Sequence, residues 1–356
     1  MNMVSAVLLS LIEQVIKLVS TASITVRSLP FLASVTDGES RRHKIMLYGI
    51  LLGLVCALCW GTADIFATVV ARRLGTLTTL FFSHMWGLLF VLILLAFTWR
   101  PLALTPQALL LSLPAGLGLG VLLAIGYFAF YRGLELGPLA IVSPLTSADG
   151  AIAVLLAILF LHESLGVWQG SALLILFLGI VLVSLEGTSP VAFFKTMNKS
   201  VFAKGGTKWG LVAMIVFGLV LFGTGAAAQM DGWFLPIFWM RICSALIVAS
   251  VRLLQQWRLR TQTISVQHTK YESTNSWLIM IGFAAVAGLL DTAGHFLYSF
   301  NTHIVATGIA AAVGSCFVLL PLLYGAFVLR EKLAIHQTIG VGLVLVGLIL
   351  LGYNSV

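Results

Sequence analysis

One stretch of this chain occurs twice. Gly126–Leu185 reads GYFAFYRGLELGPLAIVSPLTSADGAIAVLLAILFLHESLGVWQGSALLILFLGIVLVSL, and Gly294–Tyr353 reads GHFLYSFNTHIVATGIAAAVGSCFVLLPLLYGAFVLREKLAIHQTIGVGLVLVGLILLGY. Laid together without a gap, Gly126 falls on Gly294, Phe128 on Phe296, Ser147 on Ser315, Leu161 on Leu329, Glu163 on Glu331, Gln169 on Gln337 and Gly179 on Gly347, a constant spacing of 168 positions. Upstream, GLVCALCWG (Gly53–Gly61) matches GLVAMIVFG (Gly210–Gly218) at a different spacing, so a loop changed length between the copies. Two apolar halves related in this way are the pattern of membrane transporters that arose by duplication.

The apolar character of both copies narrows the fold class. Hydrophobic residues make up 60% of the 356 positions and charged residues only 9%, whereas a soluble domain carries roughly a quarter charged residues to keep its surface wet. Ten apolar runs follow Met46: Leu47–Val70, Leu77–Thr98, Ala108–Tyr131, Leu139–Leu161, Val167–Leu185, Trp209–Ala228, Leu235–Leu253, Trp277–Phe300, Val305–Leu329 and Ile335–Gly352. Each approaches the length that crosses a hydrocarbon core of about 30 Å, and lipid offers no partner for an open backbone, so each is expected to be a helix. The expected fold is therefore an all-α polytopic membrane protein of ten transmembrane helices. Five crossings per copy, an odd number, would turn the second copy upside down, giving two inverted five-helix repeats.

The expected organisation is an N-terminal extension over 1–45 outside the fold, a first repeat over 46–186, a basic connecting loop over 187–208 and a second repeat over 209–353. Within the extension, Glu13, Gln14 and Lys17 interrupt the apolar start, and Val35–Lys44 reads as a solvated linker. A second basic loop is expected over Gln255–Ser276. The net charge of +8 reads as loop charge against anionic head groups rather than as a nucleic-acid surface, because no basic motif sits on a soluble module. The four cysteines, Cys56, Cys59, Cys243 and Cys316, all lie in apolar runs. With no second CxxC or histidine pair beside Cys56 and Cys59, helix packing rather than a metal site is expected, and no cofactor.

Ionisable residues inside spans need a reason, since a charge at the bilayer centre costs roughly 2.5–3.5 kcal/mol on the mildest scale. Asp64 follows Trp60 by one turn, so both project from one face; the pair reads as a cation- or proton-handling carboxylate beneath an aromatic wall, or as an acid near the membrane edge. Asp291 and His295 are one turn apart with Tyr298 in reach, and read as a proton-sharing pair or as a structural ion pair. His84 stands alone in its span and reads as a packing histidine or a pathway residue. Arg241, near Trp239, either binds an anionic group of a solute or neutralises an aspartate. Tyr127 and Tyr131 align with His295 and Ser299, so these tyrosines are candidates for a central cavity, and Ser147 with its counterpart Ser315 suits either helix contact or cavity lining. Ser143 and Asp149 lie beside Ser147 at the start of the fourth span. Glu163 and Glu331 read as structural loop carboxylates, each accepting from the exposed amides of the helix that follows it.

The first-span CALCWGTADIFA, the GLELGPLAIVSPLTSADGAIAVLLAILFLHESL run with its glutamate, and the later FVLREKL resemble the drug/metabolite transporter superfamily in its ten-helix EamA-type form, over about Met46 to Tyr353. One departure is the second-helix arginine, present only in the second half as Arg241, where the first half has His84-Met85-Trp86. The resemblance implies a multi-pass protein of the plasma membrane that moves a small organic solute (an amino acid, a metabolite or a drug-like compound) by alternating access, as an exporter. It also implies that the fifth and tenth spans lie at the periphery, where they can support a homodimer. No GxxxxGK[ST] loop is present, so the driving force would be a gradient, with protons as the candidate ion. Neither HExxH nor GxSxG occurs, which argues against an intramembrane enzyme. An uncoupled facilitator and a non-transporting membrane scaffold are the rival readings. Loop charge and resemblance disagree on orientation. Thirteen lysines and arginines lie in loops opposite the chain ends against four on their own side, which places the ends outside, whereas the resemblance implies ends in the cytoplasm.

Overall fold

A computed structural model describes residues 38–99, 102, 104–137, 139–184, 205–261, 274–320, 323 and 334–353. The described residues form helices joined by short turns: α1 (Gly38–Leu74), α2 (Thr76–Thr98), α3 (Pro106–Leu136), α4 (Leu139–Thr146), α5 (Asp149–Phe160), α6 (Val167–Ser184), α7 (Gly205–Asp231), α8 (Leu235–Thr261), α9 (Thr274–Asn301), α10 (Thr307–Gly314), a 3-10 segment (Ser315–Val318) and α11 (Ile335–Tyr353). Six of them, α1, α2, α3, α7, α8 and α9, are long and apolar enough to cross a membrane, and α5, α6, α10 with its 3-10 extension, and α11 are shorter apolar helices.

Several boundaries differ from those read in the sequence, and one span is broken. The expected linker over Val35–Lys44 is helical from Gly38 onward; once an apolar span has nucleated a helix, adding residues such as Glu39, Arg41 and Arg42 costs little. For the same reason α8 runs on to Thr261, into the expected loop, and α7 starts at Gly205. The fourth span is not continuous: α4 and α5 are separated by a turn at 147–148, three residues after Pro144, and the Ala151 amide closes it on the Ala148 carbonyl at 3.1 Å. In the second copy the helix tightens to 3-10 form at Ser315, the residue aligned with Ser147.

The tight turns recur as well. Gly75 (φ 79°) joins α1 to α2 and Gly232 (φ 82°) joins α7 to α8. The amide of each closes the preceding helix, Gly75 on the Ala71 carbonyl and Gly232 on the Ala228 carbonyl, both at 3.0 Å. A positive φ at the end of a helix favours glycine, and Gly75 and Gly232 are equivalent at the spacing that relates Gly53 to Gly210.

Packing crosses between the halves of the chain. α1 lies along α9, and α7 along α3; α3 also packs on α8, and α2 on α9. α5 meets α10, and α6 meets α11. These helices approach closely at small residues, as expected where lipid offers no driving force for apolar burial. An added Cβ at Gly61 would lie 2.7 Å from the Phe317 carbonyl and 2.8 Å from Leu320 Cβ, and at Gly218 3.1 Å from the Asp149 carbonyl and 2.6 Å from Ile152 Cβ. The α6–α11 pair is outermost, with Trp168, Leu174, Leu178, Ile339 and Ile349 exposed.

Candidate functional site

The interior polar groups converge from four helices. Asp291 on α9 is 5% exposed and Arg241 on α8 is 2% exposed. Arg241 Nη2 meets Asp291 Oδ2 at 2.7 Å, and the Tyr127 hydroxyl on α3 donates to Asp291 Oδ1. His295, one turn along α9, is reached at Nδ1 by Arg241 Nη2 (2.9 Å) and by Trp60 Nε1 from α1 (3.3 Å). Arginine and indole nitrogens only donate, and Nη2 has two hydrogens, so it serves both Asp291 and His295. These two donors outweigh the single Asp291 carbonyl at 3.0 Å, so Nδ1 accepts and the imidazole proton sits on Nε2. The helical spacing does bring His295 Nδ1 to 3.5 Å from Asp291 Oδ1, but with Nδ1 accepting no proton lies between them. The direct partners of the carboxylate are Arg241 and Tyr127. Of the two roles open to Arg241, the structure places it on an aspartate.

Beside this network lies a small, partly open cavity lined by Trp60, Asp64, Tyr127, Phe130, Thr146, Asp149, Phe217, Val220, Leu221, His295 and Phe317. Eight of these residues form four pairs at the two repeat spacings: Trp60 with Phe217, Asp64 with Leu221, Tyr127 with His295, and Asp149 with Phe317. Trp60 is locked edge-on against His295 and Phe317, with centroids 5.3 and 6.4 Å away. Tyr127 packs against Phe217 (5.0 Å) and Tyr131 (5.4 Å). The two wall acids are held by hydroxyls: Ser143 Oγ donates to Asp64 Oδ2 at 3.3 Å, and Ser315 Oγ lies 3.1 Å from Asp149 Oδ1.

The remaining sequence candidates fall around this centre. His84 Nδ1 faces the Leu80 carbonyl at 3.0 Å, so it donates there; its Nε2 is buried with no partner among the described residues, and the ring stands edge-on to Tyr127 at 5.5 Å. The Tyr131 hydroxyl reaches Ser83 Oγ at 3.5 Å. Tyr298 is fully buried and donates to the Leu221 carbonyl at 2.9 Å, which orients a residue of the wall. Ser147 is buried at the α4–α5 break. Trp239 is not part of the wall: its Nε1 donates to the Leu109 carbonyl at 2.9 Å and ties α8 to α3. Cys56 is buried and points Sγ at the Gly294 carbonyl, 3.2 Å away, between α1 and α9. Asp149, Phe130, Phe217 and Phe317 were not in the candidate set. Projecting Trp60 through the upstream match would have found Phe217, since Trp60 and Phe217 occupy the same place in GLVCALCWG and GLVAMIVFG.

Glu163 does not cap the helix that follows it. Its Oε1 accepts from the Thr307 amide (2.7 Å) and its Oε2 from the Gly308 amide (2.9 Å), the N-terminus of α10 in the other half of the chain. The turn at His162 (φ 52°) and the Glu163 amide on the Ala157 carbonyl close off α5. The local cap comes instead from the repeated glutamines: Gly166 N donates to Gln169 Oε1 at 3.1 Å, and Ala334 N to Gln337 Oε1 at 3.0 Å. Each glutamine reaches back from the third helical position, as in a capping box. Glu331 lies outside the described residues.

Long apolar helices packed around a polar, partly enclosed interior define a multi-pass helical membrane protein. Residues 47–185 match the EamA-like transporter family. An uncharacterized protein of Methanocaldococcus jannaschii is 32% identical over 137 residues, which make up 96% of that protein and 38% of this chain. A solved structure described only as the crystal structure of a protein superposes with a TM-score of 0.56 at 15% identity, over 85% of this chain and 96% of the other, and so shares the fold. The chain belongs to the EamA-like transporter family.

Proposed function

We propose that this protein is a secondary carrier for a small organic solute, working by alternating access around the cavity between α1, α3, α5, α7 and α9. In this reading ten crossings form two inverted five-helix repeats, over 46–186 and 209–353, joined by a basic loop over 187–208, with 1–45 outside the fold. The observation that carries it is the pairing of the cavity wall: eight of eleven lining residues are repeat-related partners. A site shared in this way by two copies is where two units rocking against each other would alternately expose a solute.

Reciprocal packing supports the same reading. Gly61 meets Phe317 and Leu320 as Gly218 meets Asp149 and Ile152, and Gly179 meets Gly340 and Val344 as Gly347 meets Ala172 and Leu176. In each case the partners differ by the repeat spacing. The M. jannaschii relative, spanned almost entirely by 137 aligned residues, is of the size of one such unit.

Proton coupling, if the carrier is driven in this way, belongs with the wall acids rather than with Asp291, which Arg241 and Tyr127 already hold. Export, the plasma membrane and a homodimer through the outer faces of α6 and α11 enter the reading from the family resemblance alone. The test is solute flux in proteoliposomes over a panel of amino acids, amines, sugars and organic acids, with and without a pH gradient. Saturable flux of at least one solute is expected, and its absence across the panel would leave the scaffold reading in place. Asp64→Asn is expected to abolish the pH-gradient dependence; undiminished gradient-driven uptake in that variant would take the coupling away from Asp64, and flux indifferent to the gradient in the unaltered protein would make it an uncoupled facilitator.

A further inference from the structure

Among the described residues, two acids of the cavity wall have no counter-charge. Asp64 and Asp149 are met only by hydroxyls and local backbone, and among the described residues no basic side chain pairs with either. The interior guanidinium, Arg241, is committed to Asp291 and does not line the cavity. The rest of the wall includes five aromatic rings (Trp60, Tyr127, Phe130, Phe217 and Phe317) and the His295 imidazole. His295 is 4% exposed, and its Nε2–H, opposite the nitrogen taken by Trp60 and Arg241, has no partner among the described residues.

We propose that this cavity binds an organic ammonium ion that also carries a hydrogen-bond acceptor. The cationic group lies between Asp64 and Asp149, the acceptor meets His295 Nε2–H, and the apolar body lies against Phe130, Phe217 and Phe317. The inference rests on the carrier reading of the same cavity and adds the substrate class. A carboxylate removed from water without a partner is costly, and an incoming cation supplies the missing charge at the moment of binding. Aromatic faces attract the same cation through their quadrupoles. An anion would instead meet two acids and no basic wall residue, and a neutral solute would gain nothing from either acid's charge.

The test is binding and counterflow with the full-length protein in proteoliposomes. The probes are ethanolamine and phenylalaninamide, each set against the neutral compound lacking the amine, such as 3-phenylpropanamide for phenylalaninamide. At least one amine is expected to bind saturably, with its neutral partner weaker by about tenfold or more, the scale of one charge-assisted hydrogen bond. Asp149→Asn and Asp64→Asn are each expected to weaken the amine by about tenfold to a hundredfold. Asp149→Glu keeps the charge, so partial recovery of binding with this variant separates lost charge from misfolding. Equal binding of amine and neutral partner, or unchanged affinity in both Asn variants, would overturn the proposal. Flux confined to anionic or neutral solutes would overturn it while leaving the carrier intact, whereas no flux of any solute would remove both.

Discussion

Gly294 is a gap that the indole of Trp60 fills. A Cβ built on Gly294 would lie 2.6 Å from Trp60 Nε1 and 2.7 Å from its Cδ1, and one built on Gly126 would lie 2.6 Å from Phe217 Cε1. The ring on α1 therefore enters α9 as the ring on α7 enters α3, which sets the cavity wall on both sides.

Gly294→Ala is expected to push Trp60 off His295, destabilising the protein by about 1–3 kcal/mol as overpacking does and lowering flux. Gly126→Ala should do the same through Phe217. Gly118, where nothing lies within 4 Å of an added Cβ, is the control, and Gly118→Ala should be neutral or stabilising by up to about 1 kcal/mol. Melting of the detergent-solubilised protein and tryptophan fluorescence read both effects.

Arg241 and Asp291 form a buried pair, so removing one partner should cost far more than removing both. Arg241→Ala leaves the carboxylate uncompensated and is expected to cost about 3–5 kcal/mol, whereas Arg241→Met combined with Asp291→Leu should recover much of that loss. Equal melting of the single and double variants would mean that the pair is not coupled.

Glu163 ties the end of α5 to the start of α10. Glu163→Gln keeps one acceptor but turns an N–H₂ toward an amide N–H, so a loss of about 1–3 kcal/mol is expected, and Glu163→Ala should lose at least as much. If the carboxylate served only the helix that follows it, Gln169→Ala would show the larger loss. The relative size of the two shifts in melting decides between them.

Gly75 and Gly232 are required for conformation, not for room, because nothing lies within 4 Å of an added Cβ at either. Alanine at each is expected to cost about 1–2 kcal/mol, and asparagine is expected to do no better at Gly75, whose φ of 79° and ψ of 163° lie in a region open essentially to glycine alone. Melting of Gly75→Ala and Gly75→Asn unchanged from that of the natural protein would count against this account.

Much of the architecture was legible in the chain. The long apolar helices lie close to where the runs placed them, because a backbone in lipid must satisfy its own hydrogen bonds within the segment. The equivalence of Tyr127 with His295 led to the cavity for the same reason that the halves match at all. Where the reading failed, the cause was local. The α4–α5 break at 147–148 falls in Thr146-Ser147-Ala148-Asp149-Gly150, an interruption too short to divide the apolar run, and the helical lead-in at Gly38 is built from charged residues that only continue a helix begun elsewhere. The wall acid Asp149 was passed over because it sits beside serines near a turn, and only the approach of α10 with Ser315 makes that turn part of a cavity.

By itself, the sequence determined that this is a doubled, helical membrane protein and which few ionisable groups its interior must accommodate. Only the tertiary structure decided that Arg241 answers Asp291, that Asp64 and Asp149 meet no cation among the described residues, and that Glu163 serves a helix in the other half. The reason is that a helix forms from its own residues. The partner of a buried charge depends instead on the rotation and depth of helices far apart in the chain, and packing across the whole molecule sets these.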